Sequence, residues 1–119
     1  MRLAAFATHP LQLALGLAVW LAWFGIAYGG LSLGCAIAAP PPEAGAGTWI
    51  NWSVALFTAA TAALLLWCAW VCGRAVRACD PPSQPAKRFI PLLGAAVHLI
   101  AVVCTLFIGV SLVLLPPCL

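Results

Sequence analysis

Two histidines and six cysteines hold most of the reactive chemistry open to this chain. His98 lies deep within an apolar run, where an ionisable side chain is rare and costly. Imidazole there could ligate haem or a metal, relay a proton, or hydrogen-bond a neighbouring helix. Cys68 and Cys72 are four apart, on one face of a helix. With His98 they form a candidate metal set, since thiolate and imidazole together suit soft ions such as Cu(I) or Zn. Cys79 would extend that face. No zinc-finger spacing accompanies them, and buried cysteine is commonly a small packing residue. A bis-histidine haem needs a second buried histidine, and His9 falls at the membrane edge. A proton path would want carboxylates within the spans, and there are none. The simplest role for His98 is a neutral ring bonded to a neighbouring helix.

Cys35 and Cys118 form a different pair. Each falls at the end of an apolar run. If both ends face an oxidising compartment, a disulfide could clasp them, given Cα atoms about 4.4–6.8 Å apart. Two free thiols are equally compatible with the sequence.

The elements that must position these groups are membrane helices. Of 119 residues, 66% are hydrophobic and 6% charged, against about 25% charged in soluble domains. Three apolar segments exceed the ~18 residues that mark a membrane span. They predict an all-α membrane protein: one three-span, up-down-up bundle over residues 1–119. The spans run about 11–38, 50–72 and 89–115, the last starting with Pro91 in its first turn. The first apolar run is too long for a cleaved signal peptide, so it is expected to remain as a helix. Gly29-Gly30 is its expected bend. Prolines 40–42 separate the first two spans. Paired tryptophans, Trp49/Trp52 and Trp67/Trp70, bracket the second, as interfacial belts do.

All five Lys and Arg residues fall in the amino terminus and the 73–88 loop. The positive-inside rule makes that side cytoplasmic. The 39–49 loop and carboxyl terminus then face the periplasm of a bacterial inner membrane. The same rule explains the net charge of +3 without nucleic acid. The basic loop could also meet anionic membrane lipid.

Small residues recur at helical spacing. Ala18, Ala22, Gly25 and Gly29 share a stripe, and Gly30 and Gly34 form another small pair. The second span carries Ala55, Ala59 and Ala63, and Gly94 shares a face with His98, Ala101 and Thr105. In lipid such residues let backbones approach closely. They are expected to pack the bundle internally, to dock a partner subunit, or both. Trp20 and Trp23 lie too deep for interface anchors and favour a partner.

The run Trp20-x-x-Trp23-Phe24-x-x-x-Tyr28-Gly29-x-Leu31-Ser32-Leu33-x-Cys35, with the closing Pro116-Pro117-Cys118, resembles small bacterial inner-membrane proteins associated with haem–copper terminal oxidase gene clusters. The resemblance covers the first span and the last residues. It implies an accessory or assembly role near an oxidase, with no cofactor motif and no functional residue to carry over.

Catalysis finds no support: there is no Ser/His/Asp set, no carboxylate pair in a span and no phosphate-binding loop. The sequence therefore predicts a non-catalytic accessory subunit or assembly factor of a larger, respiratory membrane complex. The alternatives are a metal- or haem-handling factor using His98 with Cys68, Cys72 or Cys104, and a small homo-oligomeric channel or transporter.

Overall fold

A computed structural model describes residues 2–78 and 85–118. Cys79 and Asp80, part of the basic loop considered above, lie outside the described residues.

Four α-helices and one 3-10 turn make up the fold, with no strand among the described residues. Helix α1 (Arg2–Thr8) is short. Helices α2 (Leu11–Ala38), α3 (Trp49–Ala78) and α4 (Pro85–Leu114) form the bundle. Each of these three is long and apolar enough to cross a membrane, so the chain is a multi-pass membrane protein by length and composition. The body is elongated, 62 × 20 × 18 Å.

The helix boundaries follow local chemistry. Pro10 precedes α2, where its missing N–H costs no helical bond. The prolines after Ala38 end α2, and the following 3-10 turn (Pro42–Ala44) closes at Gly45, whose φ of 62° suits glycine. Thr48 caps α3: its Oγ1 accepts the Asn51 N–H at 3.5 Å and donates to Asn51 Oδ1 at 2.6 Å. Two boundaries extend beyond the expected spans. Helix α3 continues past Cys72 to Ala78, and α4 begins at Pro85. Pro91 therefore lies beyond the first turn of α4, as an interior proline. Helix α2 runs through Gly29 and Gly30 without interruption. Residues 2–8, ahead of the first span, form the short helix α1.

Helices α2 and α4 run parallel in a near-constant register. Gly16 abuts His98, and Cys35 meets Pro117 and Cys118, at offsets of 82 to 83 residues. Helix α3 runs antiparallel between their directions, with Cys72 against Gly94 and Thr58 against Gly109. The inward positions step by three, four or seven residues: Gln12, Gly16, Trp23 and Ala27 on α2, and Cys72, Cys68, Leu65, Thr61, Thr58 and Val54 on α3. This spacing, averaging near 3.5, belongs to left-handed, coiled-coil-like packing.

The interior mixes apolar side chains such as Trp23, Ile50 and Leu65 with polar ones, while the exterior is apolar. Gln12, Asn51, Thr58, Thr61, His98 and Thr105 are all buried. Leu17, Leu21, Leu56, Ile100, Val103 and Phe107 are exposed, as lipid contact requires.

Candidate functional site

The carboxyl-terminal end of α2 is tied to the tail after α4. Cys35 and Cys118 are joined in a disulfide with Cα atoms 5.6 Å apart. Beside it, Gly34 packs on Ile50, to which an added Cβ would stand 3.2 Å away. Asn51, not singled out from sequence, completes this end. Its Nδ2 donates to Val113 O at 2.9 Å and Leu115 O at 3.0 Å. It thereby satisfies carbonyls that the end of α4 would otherwise leave open.

The amino-terminal end is held by Gln12, likewise missed. Gln12 Nε2 donates to Phe6 O at 3.1 Å, and its Oε1 faces Cys72 Sγ at 3.9 Å. Ala7 of α1 is fully buried in a cluster with Val71 and Cys72. Gly94 lies in the same layer: an added Cβ would stand 3.3 Å from Cys72 Sγ and 3.5 Å from Gln12 Cβ. A lone carboxamide in the first span was the available signal, because polar groups in lipid turn inward.

One layer further in, His98 is wholly buried. Its Nδ1 lies 2.6 Å from the Gly94 carbonyl one turn earlier on the same helix. The expected bond to a neighbouring helix is thus replaced by one within α4. For that contact to be a hydrogen bond, Nδ1 carries the proton and Nε2 presents its lone pair. Nε2 is buried with no hydrogen-bond partner. Thr105 Oγ1 and Trp23 Nε1 share that condition, and the α2–α4 register sets these two residues at one level.

The register also places Cys68 opposite His98. Even so, no three His, Cys, Asp or Glu side chains gather into a metal-holding group among the described residues. The expected set of His98, Cys68 and Cys72 therefore does not close into a three-ligand site. Cys104, offered as a further ligand, is half-buried and unpaired by any disulfide.

The small-residue expectations divide. Gly34 and Gly94 pack inside. Gly25, Gly29 and Gly30 have open space where a Cβ would go, and Ala22 and Ala59 are exposed. Internal packing is thus wrong for these five positions. The close approaches fall instead at Gly16 and Gly109. A Cβ on Gly16 would lie 2.9 Å from Val97 Cγ1, and Gly109 sits directly against Thr58. Trp23 is also internal, at 1% exposure, and Trp20 packs beside Leu65, Ala101 and Val102. Neither is an outward feature awaiting a partner.

The arrangement leaves α2 with two contrasting faces. The inner face carries Gln12, Gly16, Trp23 and Ala27. Opposite lies an exposed strip of Ala14, Ala18, Ala22, Gly25 and Gly29. Along one flank, Trp20, Phe24 and Tyr28 stack at ring-centroid distances of 5.5 and 4.6 Å. Arg2, Arg74, Arg77 and Arg88 sit together at one end of the bundle. Arg74 there lies 4.9 Å from the Trp70 ring centre, within cation–π range.

No protein-family model, no curated protein and no solved structure matches this chain.

Proposed function

We propose that this chain is a non-catalytic integral membrane protein, an accessory subunit or assembly factor that docks on a larger membrane complex through the outer strip of α2. One observation carries the reading. Ala14, Ala18, Ala22, Gly25 and Gly29 face away from the bundle, with open space at both glycines. Lipid contact alone would favour leucine-sized side chains, as on α4. A smooth strip lets a second helix approach backbone to backbone, the main route to association where lipid removes the hydrophobic drive. Its neighbours Phe24 and Tyr28 would flank that helix.

The resemblance of the first span to proteins of oxidase gene clusters directs the proposal to a respiratory oxidase as the host complex. The basic end, holding Arg2, Arg74, Arg77 and Arg88, would face the cytoplasm of a bacterial inner membrane. The Cys35–Cys118 end would face the periplasm, where a disulfide persists. Affinity purification from native membranes tests the proposal. Co-elution with large membrane subunits is expected.

A second reading, a metal- or haem-handling factor, draws on the unpartnered Nε2 of His98. Copper or haem bound stoichiometrically and lost in His98→Ala would favour it over docking. A crosslinked mass built only of copies of this chain would favour a homo-oligomeric channel.

A further inference from the structure

A groove of about 680 Å³ opens between α1 and the first turns of α2, within the size range of ligand sites. Its floor is apolar: Phe6, Leu15, Ala14 and Ala18 line it, and the two alanines create the room. Its polar lining includes Arg2 and His9. His9 Nδ1 accepts the Leu11 N–H at 3.2 Å. A neutral ring then carries its proton on Nε2, so the exposed edge of His9 offers a donor. Among the described residues, no carboxylate lines the groove. The cavity thus combines a cationic, hydrogen-bond-donating rim with a slot running toward the membrane interior.

We infer that this groove holds an anionic phospholipid, its headgroup phosphate on Arg2 and His9 and an acyl chain along Ala14 and Ala18. Charge complementarity selects the occupant. A zwitterionic lipid would bring a cation to a rim that already has one. A free phosphate would gain nothing from the apolar floor. The site lies on the amino-terminal end of the bundle, and its acyl chain would cover Ala14 and Ala18, the first two positions of the outer strip of α2. A partner helix would then dock along the rest of that strip, at Ala22, Gly25 and Gly29.

The test uses the full chain in mild detergent, exposed to vesicles of equimolar phosphatidylglycerol and phosphatidylcholine. Retained lipid is read by native mass spectrometry. Wild type is expected to keep phosphatidylglycerol in preference. Arg2→Gln should reduce that preference about fivefold, the worth of one basic residue near an anionic surface. Ala14→Trp, at an exposed position, should fill the slot and lose the retained lipid, with helicity checked by circular dichroism. Equal retention of the two lipids by wild type would overturn the inference. So would a preference that survives Arg2→Gln, or retention that survives Ala14→Trp. Crosslinking of Ala14→Cys to a second copy would assign the groove to self-association instead.

Discussion

Gly16 of α2 and His98 of α4 meet inside the bundle: a Cβ on Gly16 would lie 3.5 Å from His98 Nε2. The contact needs glycine on one helix because the other presents a ring held by its own backbone at Gly94. A larger residue at position 16 must push α2 outward or displace Val97. Gly16→Leu is therefore expected to destabilise by about 1–3 kcal/mol, the usual cost of overpacking. Unfolding of purified protein in detergent micelles, compared with Gly25→Leu, measures it. The exposed variant should change stability by no more than about 0.5 kcal/mol.

The disulfide between Cys35 and Cys118 closes a loop of 83 residues. Cys35→Ser should lower stability by about 2–5 kcal/mol, the range for losing a native disulfide. Thiol alkylation of the denatured wild type, followed by mass spectrometry, should add two fewer labels without reductant than with it. Equal labelling would mean the bond is absent.

Asn51 supplies both amide hydrogens to the end of α4. In Asn51→Ala, these part-buried carbonyls lose their donors, which costs about 0.5–1.5 kcal/mol per bond. Amide exchange should rise at the start of α3 and the end of α4, while the Gln12 end stays protected. Uniform loosening of both ends would contradict this local role.

His98 has one buried ring nitrogen with no partner, so the ring itself contributes packing more than polar stabilisation. Substitution by an apolar residue of similar volume, His98→Leu, should cost less than about 1.5 kcal/mol and leave association with partners intact. Metal and haem analysis of native preparations should show no change. Loss of a bound cofactor would favour the metal-handling reading.

The span pattern was legible because lipid demands long apolar helices, and only length and charge were needed to find them. Topology put Cys35 and Cys118 at one end, since three spans alternate, but left a disulfide and two free thiols equally open. The inward faces were harder. In water, hydrophobic periodicity separates core from surface, but a membrane makes Leu on either face acceptable. The glycine stripe at Gly25 and Gly29 therefore looked as suitable for the core as Gly16 and Gly109. Polar side chains were the better signal. Asn51, Thr58 and Thr61 on α3 stand seven and three residues apart, His98 and Thr105 on α4 stand seven apart, and these five and Gln12 all turn inward. Read with those, Gly16 falls one turn from Gln12 and belongs inside. The aromatic depth of Trp23 misled for a related reason, because a large ring can fill a core opposite small residues such as Thr61 and Thr105.

The docking face is tested most directly by a double variant, Gly25→Leu with Gly29→Leu, expressed in native membranes and purified through a tag. Both positions are open, so the bundle and its disulfide should be unaffected. The account predicts a folded protein whose recovery of large membrane subunits falls by at least about tenfold, or 1.4 kcal/mol in association. Undiminished recovery of the same subunits would contradict docking through the outer face of α2.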